Sequence, residues 1–120
     1  MRVLVCGGRY YTDRATVERV LGDLWDELPE GVSAADVTIV HGAALGADTL
    51  AGQVAERFGY QVEAHPAAWD RYGRAAGPLR NQAMLETGVD YVIALGGGRG
   101  TADMVRRAKA AGIPVREVGT

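Results

Sequence analysis

The stretch DYVIALGGGRGTADM, residues 90–104, passes from an apolar run through a glycine-rich turn into a helical pattern. Residues 90–95 form a short, mainly apolar run, which is typical of a strand buried on both faces of a sheet. Four glycines, one arginine and one threonine occupy the next six positions. The stretch therefore predicts a strand, a loop and a helix in succession, which is one unit of a parallel α/β sheet.

The same succession is repeated along the chain. Strands are predicted at residues 2–6, 36–40, 60–64, 90–95 and 114–118, and helices at residues 13–28, 47–58, 78–87 and 101–111. This alternation predicts a three-layer, Rossmann-like α/β fold, in which a parallel five-stranded sheet of order 3-2-1-4-5 has helices on both faces. Because 120 residues suffice for one core, we expect a single domain over residues 1–120.

Composition and charge narrow the class of protein. Hydrophobic residues make up 48% of the chain without an apolar run of 18 or more, so no membrane association is expected. The apolar run near the N-terminus is too short for a signal peptide, which favours a cytoplasmic protein. The single Cys6 has no cysteine partner, so we expect a small buried residue of the first strand. A net charge of −2 argues against a surface that binds nucleic acid throughout, although residues 71–109 hold seven basic and three acidic side chains.

Three glycine-containing loops follow the first, second and fourth predicted strands. They are GGR at residues 7–9, HGAALGAD at residues 41–48 and GGGRGT at residues 96–101. In the predicted strand order they lie at one edge of the sheet, where α/β proteins bind ligands. Glycine lets a ligand approach backbone N–H groups, and helix N-termini attract phosphate, so we expect a phosphate-bearing small molecule there. The loop residues predicted to bind it are Gly7, Gly8, Arg9, His41, Gly42, Gly46, Asp48, Gly97, Gly98, Arg99, Gly100 and Thr101.

Each of these residues also has a purely structural interpretation. A loop glycine is often needed only for a turn, Asp48 suits the positive end of a helix, and Thr101 can cap one. His41 is as consistent with a hydrogen-bonded residue at a strand end as with a base. The prediction of a binding site therefore rests on the convergence of three loops rather than on any one residue.

Several well-known ligand sites are excluded. The chain has no G-x-x-x-x-G-K-[ST] motif, no G-x-G-x-x-G after the first strand, and no acidic residue at the end of the second strand. His41 and His65 lie apart from any cysteine or carboxylate at metal-ligand spacing, so neither a metal nor another cofactor is expected. The one serine, Ser33, is not in a nucleophile elbow.

Four motifs in this order resemble those of the SLOG superfamily, which includes the Smf/DprA-like and the lonely-guy-like (LOG) proteins. They are GGR at 7–9, HGAALGAD at 41–48, RNQAM at 80–84 and GGGRGTADM at 96–104. The likeness is greatest to the small YspA or cpYpsA-related SLOG proteins of bacteria and phages, and it covers nearly the whole chain. It implies a Rossmann-like sheet with a pocket for a nucleotide or nucleotide-derived ligand, and it adds Arg80 and Asn81 to the predicted binding residues. It also implies a homo-oligomer, since such proteins often form dimers or larger assemblies.

The resemblance also bears on catalysis. LOG enzymes cleave the N-glycosidic bond of nucleoside 5′-monophosphates, and their signature is P-G-G-x-G-T-x-x-E. The residues that match its phosphate-binding part are Gly97, Gly98, Gly100 and Thr101. Met104 stands at the position of the catalytic glutamate, Gly96 at that of the proline and Asn81 at that of a helix lysine. Because a thioether cannot stabilise an oxocarbenium-like ribose, catalysis would depend on Asp48 or Asp103.

Retained phosphate-binding residues and a missing glutamate favour binding over catalysis. We expect a nucleotide-binding protein that acts as a sensor or sequesters its ligand. The alternative is an N-glycosidase acting on a nucleoside monophosphate or a related nucleotide. A second alternative, by analogy with DprA, is single-stranded nucleic-acid binding, which the net charge of −2 disfavours.

The connection over residues 65–77 is the predicted specificity element. Thirteen residues is long for a link within an α/β unit, and such loops often serve as lids or binding loops. Trp69 and Tyr72 can stack on a base, or they can pack the loop against the body of the protein. Arg71 or Arg74 can reach a second phosphate.

Overall fold

The computed structural model describes residues 1–119 and shows strands alternating with helices. The strands are β1 (Arg2–Gly7), β2 (Thr38–His41), β3 (Gln61–Ala64), β4 (Tyr91–Leu95) and β5 (Val115–Val118). The helices are α1 (Arg14–Glu27), α2 (Ala47–Arg57), α3 (Trp69–Tyr72), α4 (Ala76–Glu86) and α5 (Arg99–Ala110). All strand pairs are parallel, and the sheet order β3-β2-β1-β4-β5 confirms the predicted order.

The central strands are buried on both faces, as their continuous apolar sequences predict. Along β1, Val3 and Val5 pack into one core with α1 and α2, whereas Leu4 and Cys6 pack into a second core with α4 and α5. Side chains alternate along a strand, so one short apolar run serves both layers. The helices therefore cover both faces of the sheet, which confirms the three-layer architecture.

Helix ends follow local signals in the sequence. Asp13 caps α1 by accepting a hydrogen bond from the backbone N–H of Thr16 at 3.1 Å. Gly59 follows α2 with a φ of +83°, a left-handed conformation in which glycine ends a helix without strain. Within residues 1–119, no helix is both long and apolar enough to cross a membrane.

Several element boundaries differ from the prediction, and two of these differences affect the site. The connection over residues 65–77 contains α3 and a 3₁₀ turn, and α4 begins at Ala76, ahead of the predicted start at Pro78. Proline is tolerated there because the N–H groups of a first helical turn have no intrahelical acceptor. Helix α5 begins at Arg99 rather than Thr101, so three residues of the glycine-rich loop, Arg99, Gly100 and Thr101, belong to its first turn.

Candidate functional site

The three loops meet in a cleft at the carboxyl edge of the sheet. The backbone N–H of Gly8 donates to the carbonyl of Gly96 at 2.6 Å, and the N–H of Ala47 donates to the carbonyl of Gly8 at 3.1 Å. The cleft has a volume of about 780 Å³, which lies within the usual range for small-molecule sites. The predicted residues that line it are Gly7, Gly8, Arg9, Gly42, Asp48, Trp69, Arg74, Arg80, Asn81, Gly97, Gly98, Arg99, Gly100, Thr101 and Asp103.

The glycines of these loops fall into two groups. At Gly7, Gly46 and Gly97 an added Cβ would overlap neighbouring atoms of the protein itself, so internal packing alone requires glycine. At Gly98 and Gly100 an added Cβ would meet nothing within 4 Å, and neither residue has a positive φ. Packing and backbone strain therefore do not explain the absence of a side chain at these two cleft residues.

The N-terminus of α5 presents unused hydrogen-bond donors to the cleft. Gly98 is the N-cap, and no side chain caps the helix. The first helical bond runs from Ala102 N–H to the carbonyl of Gly98 at 3.1 Å. Within residues 1–119, the N–H groups of Arg99, Gly100 and Thr101 have no acceptor. Such donors, together with the positive end of the helix dipole, suit an anion.

Asp48, in the first turn of α2, offers a carboxylate oxygen to the same cleft. Its Oδ2 accepts hydrogen bonds from the N–H groups of Gly42 at 3.1 Å and Ala44 at 3.2 Å. No donor reaches Oδ1 in the described structure. Every fully buried side-chain polar atom there has a hydrogen-bond partner, so Oδ1, which has none, is accessible from the cleft. Burial raises the pKa of Asp48, an effect opposed by these backbone bonds and by the charge of Arg80.

Two adjacent residues of α4 hold the loops after β2 and β4 together. Arg80 donates from Nη1 to the carbonyl of Gly42 at 2.5 Å and from Nε to Oδ1 of Asn81 at 3.1 Å. The Nδ2 of Asn81, which is buried, donates to the carbonyl of Gly100 at 3.2 Å. No hydrogen bond is formed by Nη2 of Arg80 within residues 1–119, so part of this guanidinium group is available to a ligand.

Asp103 and Met104 point in different directions from α5. Asp103 lines the cleft, but its oxygens already accept bonds from Asn81, Arg106 and Arg107 at 3.0, 2.5 and 2.9 Å. Burial alone would raise the pKa of Asp103, but the bonds from Asn81 and Arg107 bring it below its usual value. Met104 is fully buried in the second core. The position that resembles the catalytic glutamate of LOG enzymes thus faces the core.

Four predicted residues, Arg71 among them, lie outside the cleft lining. His41 accepts a hydrogen bond at Nδ1 from the N–H of Ala43 at 3.0 Å, and burial lowers its pKa, so the neutral ring supports its loop. Gly46 packs directly on the backbone of Gly8 and Arg9. Tyr72 lines a separate groove with Leu79.

Sequence reasoning missed part of the cleft wall. Tyr10 and Tyr11 line the cleft, and Tyr10 is 88% exposed. Their position directly after the GGR motif was the available signal. Cys6 and Met84 form part of an apolar floor, and burial raises the pKa of the Cys6 thiol to about 12. The cleft therefore combines polar loops with an apolar floor and an aromatic wall.

Comparisons with known proteins place the chain in a family. The family model of the YspA, cpYpsA-related SLOG proteins matches residues 1–72. The gene 61 protein of Mycobacterium phage D29 is 40% identical over 125 residues, which span 98% of this chain and 96% of that protein. The chain belongs to the YspA, cpYpsA-related SLOG family.

Solved structures show that this SLOG protein shares its fold with larger chains. DNA processing protein A (DprA) from Streptococcus pneumoniae superimposes with a TM-score of 0.76 at 22% identity over 99% of the chain. This chain spans 50% of the length of the DprA chain. The protein TM1055 superimposes with a TM-score of 0.66 at 20% identity, covering 95% of this chain and 71% of that one. At these identities the comparison confirms the Rossmann-like fold.

Proposed function

We propose that this SLOG protein binds a nucleotide or nucleotide-derived ligand, with a phosphate at the N-terminus of α5, and that it acts as a sensor or sequesters the ligand. The observation that carries the proposal is the set of unused N–H donors at Arg99, Gly100 and Thr101. Gly98 and Gly100 lack a side chain at the same place although packing does not require it, which leaves room for a phosphate to approach the backbone.

The rest of the cleft suits the rest of a nucleotide. The accessible Oδ1 of Asp48 can accept a hydrogen bond from a sugar hydroxyl or a base amine. Trp69 lines the cleft with its ring edge against Gly77, and its 56% exposure leaves a face for a base. Tyr10 offers a second aromatic surface, whereas Tyr72 lies in the other groove.

Gly98→Val tests the phosphate position. The added side chain enters open space, so the fold should persist while the approach to the N–H groups is blocked. We expect nucleotides to raise the melting temperature of the wild type, and Gly98→Val to weaken binding by at least about tenfold, or about 1.4 kcal/mol. Gly119→Val is the control, because Gly119 also faces open space but does not line the cleft. Equal binding by both variants, or no response to any common nucleotide, would refute the proposal.

N-glycosidase activity is a second candidate, and one observation favours it. Asp48 is a buried carboxylate with a raised pKa and one accessible oxygen in the cleft, which suits a group that positions water or stabilises an oxocarbenium-like ribose. Asp48→Asn keeps an acceptor for the N–H groups of Gly42 and Ala44 but places a donor at the accessible position. If the protein is an N-glycosidase, free base is released from a nucleoside monophosphate by the wild type and by Asp103→Asn, but not by Asp48→Asn. Nucleic-acid binding has no comparable support, since the likeness to DprA shows the fold alone.

A further inference from the structure

The arginines of the cleft differ from most other cationic residues in lacking carboxylate partners. Outside the cleft, in the described part of the chain, seven basic side chains form ion pairs with acidic ones, and these are Arg2, Arg14, Arg57, Arg106, Arg107, Lys109 and Arg116. Four arginines line the cleft, and within residues 1–119 none forms an ion pair. They are Arg9, Arg74, Arg80 and Arg99. Positive charge is thus left unneutralised at the place where the loops meet.

The acidic residues of the cleft do not balance these arginines. Among the lining residues only Asp48 and Asp103 carry carboxylates. Asp103 is already paired with Arg106 and Arg107 from its own helix. Four guanidinium groups therefore face one unpaired carboxylate, that of Asp48, in a chain whose net charge is −2. This arrangement attracts an anion of high charge, because opposite charges concentrate in a cleft with low-dielectric walls.

A single phosphate does not use all of these groups. A phosphate monoester carries about two negative charges at neutral pH, and the N–H donors of α5 with Arg99 suffice to bind it. Arg9 lies in the loop after β1, which contacts the loop after β4 through the bond from the N–H of Gly8 to the carbonyl of Gly96. Arg74 lies in the 3₁₀ turn that leads into α4. Both side chains are exposed and donate no hydrogen bond within residues 1–119, so they remain free to reach a second anionic group.

We infer that the ligand carries at least two phosphate groups, as in a nucleoside diphosphate or a nucleotide linked through a pyrophosphate, and that Arg9 and Arg74 bind the second one. The inference rests on the proposed nucleotide site and specifies its ligand class. A diphosphate carries about three negative charges, which match the excess of positive charge in the cleft.

Calorimetric titrations with AMP, ADP, GMP and GDP at constant ionic strength test this inference. We expect the diphosphates to bind the wild type at least about tenfold more tightly than the monophosphates. Arg9→Ala and Arg74→Ala should remove most of this preference, because each should weaken diphosphate binding by a larger factor than monophosphate binding. Arg71→Ala is the matched control, because its guanidinium lies over the Tyr72 ring, 5.2 Å from the centroid, and it does not line the cleft.

The outcomes separate this inference from the proposed function. Equal affinity for monophosphates and diphosphates, or an equal loss of both in Arg74→Ala, would overturn the inference and leave the nucleotide site intact. Absence of binding by all four nucleotides would overturn both. Far-UV circular dichroism of each variant verifies folding, which we expect to be unchanged because Arg9 and Arg74 are exposed.

Discussion

Glycines of the cleft loops differ in whether their surroundings leave room for a side chain. Gly46 has a φ of +78°, and an added Cβ would overlap the backbone of Gly8 and Arg9, so it holds two loops in contact. Gly100 lies in the first turn of α5 beside open space. In the sequence both are loop glycines, and only their neighbours in space show that packing requires glycine at position 46 but not at position 100.

Gly46→Ala should destabilise the protein, whereas Gly100→Ala should not. We expect Gly46→Ala to lower the free energy of unfolding by about 2 kcal/mol or more, because of backbone strain and overlap. Gly100→Ala should leave it unchanged or raise it by up to about 1 kcal/mol, because alanine favours the helix, and it should weaken nucleotide binding. Urea unfolding and ligand titration measure these effects. A stable Gly46→Ala protein would contradict the packing role.

Introducing a glutamate at position 104 should destabilise the protein rather than create N-glycosidase activity. Met104 is fully buried among apolar side chains, so Met104→Glu would place a carboxylate without a partner in the core. We expect it to lower the free energy of unfolding by about 4 kcal/mol or more, whereas Met104→Leu should cost less than about 1.5 kcal/mol. Thermal unfolding measures the loss of stability, and an assay for base release from AMP tests for a gain of activity. A folded, active Met104→Glu protein would show that this side chain reaches the cleft.

At the scale of elements, α4 organises the site although its sequence pattern is weak. Its apolar residues lie on more than one side, since Met84 and Leu85 are buried while Leu79 is 50% exposed. Arg80 and Asn81 link the loops after β2 and β4 through carbonyl groups. Carbonyl acceptors leave no trace in side-chain identity, so these links were not predictable from motifs.

Strands β1 and β3 are joined across β2 by a charged pair, which predicts a dependence of stability on pH. Glu63 accepts hydrogen bonds from Arg2 and from His65, and these lower the pKa of Glu63 to about 2. Because this pKa lies below the unfolded value, the stabilisation is complete above the unfolded pKa and is lost as pH falls through the folded one. The free energy of unfolding of the wild type should therefore exceed that of Glu63→Gln by the largest amount above about pH 4.5, and this difference should shrink as the pH falls towards 2.

Urea unfolding of wild type and Glu63→Gln between pH 2 and pH 7 measures this difference. The same substitution in an Arg2→Ala background is the control, because the principal partner of Glu63 is then missing. A gap that widens on acidification, or one unaffected by Arg2→Ala, would contradict the assignment.

At the scale of the whole molecule, one sheet connects two cores. Trp25 belongs to the first side, where its ring lies 5.1 Å from that of Phe58 between centroids. Trp69 packs near α4 on the other side, against Gly77. The single domain over residues 1–120, of which residue 120 lies outside the described range, stays a prediction, as do the homo-oligomer and the cytoplasmic location.

Single-tryptophan variants report on the two sides separately. Because β1 and β4 are buried in both cores, we expect the two sides to unfold together. In Trp25→Phe and in Trp69→Phe, the urea midpoint measured by tryptophan fluorescence should coincide with the midpoint measured by far-UV circular dichroism on the same variant. An earlier transition in the protein that retains only Trp69 would mean that the α4 side unfolds on its own.

The strand order, the layers and the edge that carries the cleft could all be read from the amino-acid order, because periodicity and glycine loops are local features and few topologies accept them. The glycine-rich turn before Thr101 was recognisable for the same reason. The directions of side chains could not be read in this way. Asp103 lines the cleft while Met104 enters the core, and Tyr10 rather than Tyr72 lies with Trp69 in the cleft lining. The rotation of each helix about its axis, and the ion pairs that leave four cleft arginines unneutralised, arise from packing between segments far apart in the chain.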